Sequence, residues 1–246
     1  MLEWLLAPVD PTAAHDIGVH LSWHARFMTL AWGVLVPVGV LVARYFKIWP
    51  GQDWPRELDS QSWWNTHKLC QYSAFVCLLV GMGFLLNAPE IVTKAGPHKQ
   101  LGWAVIGLAV LQVAGGLLRG TKGGPTDLRA DGSMHGDHFD MSRRRLIFES
   151  VHKSLGYLAV VLGMVTILFG LWQANAPNWM PLALILWWSG LIFIAITLQR
   201  RGMAIDTYQA IWGPDPSLPG AKTKTFAPGV TRHRDTPSSV GSQRPG

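Results

Sequence analysis

Five apolar stretches, at about 22–43, 68–86, 100–118, 154–174 and 179–199, constrain this 246-residue chain more than any other feature. Each is near twenty residues long, the length at which an α-helix crosses a hydrocarbon core of roughly 30 Å. Their interiors are almost free of charge, Arg26 near the start of the first being the exception. A helix satisfies its own backbone hydrogen bonds, so a helix bundle is the fold that such blocks permit in lipid. Composition agrees: 15% of residues are charged, against about 25% in soluble domains. The thirteen tryptophans suit a chain with two membrane–water boundaries. The fold expected is all-α and integral to the membrane, with five transmembrane helices. Pro37 lies inside the first span, where a bilayer helix tolerates it with a kink. The short break Asn175-Ala176-Pro177-Asn178 makes the last two helices antiparallel neighbours.

The basic residues orient the bundle. Segments 44–68, 119–153 and 200–246 fall on one side and carry 18 of the 21 Lys and Arg; only Arg26, Lys94 and Lys99 fall on the other. The positive-inside rule then places the N-terminus outside and the C-terminus in the cytoplasm, in an inner (plasma) membrane. Arg143-Arg144-Arg145 reads as an orientation signal, and the net charge of +6 does not point to nucleic acid. Glu3 and the short run Leu2–Val9 do not make a signal peptide. Three regions follow: a short outer segment over 1–20, the membrane domain over 21–200, and a cytoplasmic tail over 201–246. From Gly213 the tail is rich in Pro, Gly, Ser and Thr, and it is expected to be largely disordered. Cys70 and Cys77 lie about 10 Å apart along one helix, too far for a disulfide, and no Cys-x-x-Cys-His is present for covalent haem.

Ligating residues inside spans are costly and are functional candidates by default. His24, His67, His98 and His152 each stand near the start of one of the first four helices. Successive helices run in opposite directions, so the starts alternate between membrane faces. His24 and His98 fall near the outer face, His67 and His152 near the cytoplasmic face. Two histidines at one depth on different helices can ligate one haem iron from both sides. Two such pairs make a wire across the bilayer, so the first four helices form a di-haem four-helix core. A single histidine at a helix end is ordinarily an interfacial polar residue. Four in alternating register are hard to explain that way.

The flanking residues repeat as His-Lys-x-x-x-aromatic at His67–Tyr72, His98–Trp103 and His152–Tyr157. Gly102 and Gly156, four residues after their histidines and on the same face, leave room for a porphyrin plane. The lysines could reach a propionate or snorkel to the headgroups. His20, one turn before His24, is a rival ligand. His135 and His138 could bind a metal, although two histidines in a polar loop are weak evidence; His15 and His233 read as exposed loop residues.

These residues carry a resemblance. His24-Ala25-Arg26-Phe27-Met28, Ala31-Trp32-Gly33 and Ala43-Arg44-Tyr45-Phe46-Lys47, with the His-Lys segments and Val151–Tyr157, resemble the cytochrome b561 family over about residues 20–200. The likeness is to the transmembrane type often found after a DOMON domain, here without that domain. It implies a transmembrane electron carrier with two haem b, ligated by His24 with His98 and by His67 with His152. That is the pairing the register gives independently. Many family members have six helices, and there is no room for another before the first span.

The function expected is electron transfer across the membrane through two bis-histidine haems. The donor is a small reductant, a quinol or a partner protein, and the acceptor lies on the other side. An ascorbate- or quinol-linked oxidoreductase is the enzymatic version. A haem-bearing anchor subunit of a larger redox complex and a non-haem structural or assembly protein are the alternatives. Membrane lipid is the expected surrounding, with a homodimer or a redox-complex subunit as the assemblies to consider. Basic residues such as Lys68, Arg143 and Lys153 could attract an anionic reductant, but insertion signalling explains them equally well.

Overall fold

The computed structural model describes residues 1–13, 15–88, 96–223 and 228–233. Lys94 and residues 234–246 of the tail therefore lie outside the described part. A short helix α1, Leu2–Leu6, precedes five long apolar ones: α2 (Val19–Tyr45), α3 (Gln61–Leu86), α4 (Pro97–Leu117), α5 (Arg143–Gln173) and α6 (Trp179–Arg200). A last helix α7, Thr207–Trp212, follows them. Among the described residues there is no strand, only the isolated bridges Pro8–Pro177 and Ile205–Thr231. Each of the five apolar stretches falls on one of these helices and ends within two residues of its C-terminus. α3 and α5 begin well ahead of their apolar runs because a helix continues past the bilayer where polar side chains reach water. Ser142 caps α5 by accepting from the backbone N–H of Arg145.

α2 packs along α3 and α4 along α5, and α5 closes the bundle against the middle of α2. Their shared core is Ala31, Trp32 and Val36 of α2, Ala74 and Leu78 of α3, Val105 and Ala109 of α4, Ala159 and Ile167 of α5, and Trp188 of α6. Small residues let the helices approach: a Cβ at Gly163 would stand 2.8 Å from the Trp32 ring. The outward faces carry Val76, Leu79, Val110, Leu111, Val161, Ile192 and Phe193, all exposed. An apolar exterior of this kind is stable only against lipid, and the chain is a multi-pass membrane protein.

Pro37 acts through the helix before it. Proline has no N–H to give to the carbonyl four residues earlier, which here is Gly33. Thr29–Leu35 is wound as a π-helix, and the Gly33 carbonyl accepts the indole N–H of Trp187 at 3.1 Å and of Trp188 at 2.9 Å. The group that proline strips of its partner thus becomes the anchor for α6.

The two ends of the bundle are tied differently. At the N-terminal end, Asn175 accepts from the backbone N–H of Asp10 and donates to the carbonyls of Asp10 and Ala13, pinning residues 1–13 over the α5–α6 turn. At the basic end, Arg44 donates to Tyr157 Oη, Gln199 Oε1 and the Pro228 carbonyl, joining α2, α5, α6 and the tail. The alternation of helix direction read from the sequence is therefore the alternation observed.

Ahead of Gly213 the tail holds an ordered element. Asp206 caps α7 by accepting from the N–H groups of Tyr208 and Gln209, and Tyr208, Ala210, Ile211 and Trp212 are buried. Tyr208, Ile211 and Trp212 form a second core with Trp63, Phe139 and Met141 under the basic end. Tyr208 Oη donates to the Phe139 carbonyl at 2.9 Å, and Lys47, itself buried, donates to the Ile205 carbonyl at 2.7 Å. Burial lowers the Lys47 ammonium to about 7. This short apolar helix with its own acidic cap ends at Trp212, just ahead of the Pro- and Gly-rich stretch.

Candidate functional site

The four histidines gather into two groups at two depths, on diagonally placed helices. At the N-terminal end, His24 of α2 and His98 of α4 face each other with ring centroids 6.3 Å apart and planes at 90°. That spacing would admit one metal ion between the two rings, bonded to each imidazole at about 2.0–2.1 Å. At the basic end, His67 of α3 and His152 of α5 stand within electrostatic reach of each other. Among the described residues no group of three or more His, Cys, Asp or Glu forms a metal cluster. The site offers pairs.

The ring nitrogens facing away from each pair are mostly tied to backbone. His24 Nδ1 lies 2.9 Å from the Gly81 carbonyl, His67 Nδ1 3.0 Å from that of Gly39, and His98 Nδ1 2.9 Å from that of Thr166. A carbonyl can only accept, so Nδ1 carries the proton and Nε2 is left with a free lone pair, the tautomer that ligates metal. Glycines make these approaches possible. A Cβ at Gly39 would stand 2.5 Å from Gln71 Nε2, and one at Gly170 2.8 Å from His98 Cε1. At Gly102 a Cβ would meet nothing within 4 Å, so the face below His98 is open. The donor set, its tautomers and the open glycine face fit a porphyrin iron.

A register underlies the arrangement. Gly39 follows His24 by 15 residues, and Gly81 and Thr166 follow His67 and His152 by 14. Each of these helices therefore presents a histidine at one depth and a carbonyl that accepts from another histidine about 21 Å further along, at the depth of the other pair. The sequence reading missed these acceptors; glycines 14 or 15 residues after a histidine were the available signal for two of them.

The remaining histidines separate from the pairs. His20 is half-buried beside Phe84, with ring centroids 6.4 Å apart, in a cavity it shares with Val80, Gly83 and Asn87. His24, not His20, faces His98. His135 is exposed beside Asp140, whereas His138 is buried, accepting at Nδ1 from Trp212 Nε1 at 3.3 Å. Burial holds its imidazole down to about 3, so it is neutral and can accept that bond. The two are not brought together. His15 is exposed, its Nδ1 2.7 Å from the Ala174 carbonyl, and exposed His233 packs its ring on Trp54. Lys153 is ion-paired: its Nζ is 2.7 Å from Glu149 Oε2, and Arg145 holds the other oxygen at 2.9 Å.

No family model matches the chain, and no solved structure matches it. Curated proteins do. A cytochrome b561, DM13 and DOMON domain-containing protein of Arabidopsis thaliana is 29% identical over 166 residues, 68% of this chain and 16% of that protein. Ferric-chelate reductase 1 of Homo sapiens is 28% identical over 169 residues, 67% of this chain and 24% of that protein. A second Arabidopsis thaliana protein, with cytochrome b561 and DOMON domains, is 25% identical over 60% of this chain and 31% of its own length. The chain thus spans under a third of the length of these relatives. The family resemblance read from the His-Lys segments is borne out: the chain is similar to cytochrome b561 domain-containing proteins and ferric-chelate reductases, at 25–29% identity over 60–76% of its length.

Proposed function

We propose that this chain carries electrons across the membrane through two haem b groups, one held by His24 and His98, the other by His67 and His152. The observation that carries the reading is the His24–His98 pair, 6.3 Å apart on facing helices with both outward nitrogens on carbonyls. Names of the homologues support redox work of this kind: cytochrome b561 domains and ferric-chelate reduction. Haem b, when bound, supplies a reversible one-electron iron couple. The chain's part is to fix the imidazoles and to exclude water. Trp32, Leu78 and Val105 lie in the core between the two depths, keeping the interior apolar. The donor is a small reductant, a quinol or a partner protein on one side, with the acceptor on the other.

The test is haem content. The purified protein is expected to hold close to two haems per chain, extractable into acidified acetone and with the pyridine haemochrome spectrum of haem b. A spectrum without haem, or with covalent haem, defeats the proposal.

Orientation is part of the same proposal. The basic end, with Arg44, Arg143, Arg144 and Arg200, faces the cytoplasm. A reporter active only in the cytoplasm is expected to work after Gly246 and to fail before Met1. The opposite pattern exchanges the faces and leaves the pairs untouched.

A further inference from the structure

Three of the four histidines are held by an acceptor, and the fourth is not. His152 Nδ1 is buried and has no hydrogen-bond partner among the described residues. The register says where its acceptor would come from. α2, α3 and α5 each supply a carbonyl 14 or 15 residues after their own histidine; on α4 the same positions are Gln112 and Val113. There the side chain of Gln112 donates Nε2–H to the backbone carbonyl of His152 at 3.1 Å, and nothing from α4 bonds Nδ1. The ring of His152 rests instead on Phe148, one turn earlier, with centroids 5.1 Å apart and planes at 26°. Stacking fixes the ring plane but accepts no proton.

An N–H···O=C bond raises the basicity of the opposite imidazole nitrogen, and losing such a partner typically weakens metal binding by about 10–100-fold. We infer that His152 is the exchangeable ligand of its pair, so that an iron held by His67 takes up a small neutral π-acceptor molecule, such as carbon monoxide, in its place. This rests on the haem reading above. In the exchange the bond from iron to His152 Nε2 breaks and the imidazole keeps its electron pair. A bond from iron to the carbon of carbon monoxide forms, His67 stays bound, and no electron moves.

The experiment uses the full chain in lipid nanodiscs. Pyridine haemochrome first counts the haems, which decides the haem reading separately. The dithionite-reduced protein is then titrated with carbon monoxide and followed by difference spectra. One carbon monoxide per chain is expected to bind roughly 10–100-fold more tightly than any second, at a rate that levels off as carbon monoxide rises because His152 must leave first. Phe148→Leu is expected to raise that plateau. His98→Ala, which removes the other haem, is expected to leave one carbon monoxide per chain bound with the same levelling rate. Two haems with no uptake, equal uptake by both, or loss of the levelling component in His98→Ala would each overturn the inference.

Discussion

His24→Ala and His98→Ala are each expected to remove one and the same haem, and His67→Ala and His152→Ala the other. The reason is depth. The two groups of histidines stand about 21 Å apart along the helices, judged from the 14- and 15-residue registers. Imidazoles at different depths cannot grip one porphyrin about 10 Å across in a core of roughly 30 Å. Potentiometric titration of the α-band in each variant reads the result: one of two redox components vanishes while haem per chain falls to about one. His20→Ala is expected to leave both components. If His24→Ala and His67→Ala lost the same component, or His20→Ala lost one while His24→Ala lost none, the pairing would be wrong.

The second large effect comes from a residue that ligates nothing. Gly170→Ala places a methyl group 2.8 Å from His98 Cε1 and 3.0 Å from its Nδ1, where the ring is already held against the Thr166 carbonyl. Alanine is the better helix former by about 1 kcal/mol, so propensity alone would make the change favourable. Disturbing the orientation of a ligating histidine costs about 10–100-fold in metal affinity, or about 1.4–2.7 kcal/mol, and that exceeds the gain. Haem at the N-terminal end is expected to be lost or weakly held, with the basic end unaffected. Gly190→Ala, where a Cβ would meet nothing within 4 Å, is the control and is expected to keep both. Full retention in Gly170→Ala would show that the His98 geometry does not govern binding.

What could be read from the chain before its structure was the part written in hydropathy and register. The five spans, their alternation, and the placing of His24 with His98 and of His67 near His152 follow from apolar runs and from counting residues. The π-helical turn before Pro37 was not legible, because its stability depends on Trp187 and Trp188 arriving from a helix some 150 residues later. The Thr166 carbonyl leaves no side-chain signature at all, and those of Gly39 and Gly81 show only as glycines 14 or 15 residues after a histidine. Glu149, four residues before Lys153 and on the same face, is an ion-pair partner that the sequence reading did not weigh. The helix ahead of Gly213 was not singled out in the sequence, although Asp206 before Tyr208, Ala210, Ile211 and Trp212 is a capped apolar turn.

The groups that orient His24, His67 and His98 are main-chain oxygens. A main-chain oxygen is the same atom whatever side chain its residue bears, so drift in sequence at residue 166, for example, leaves the acceptor in place. What a lineage must preserve is the spacing between helix axes, which glycines at 39 and 170 set by leaving no room for a Cβ. In such a bundle the electronic character of a ligand is inherited as a distance between neighbouring helices. Substitutions far from any histidine, if they push two helices apart, then act on the metal as directly as a change in the ligand's own surroundings.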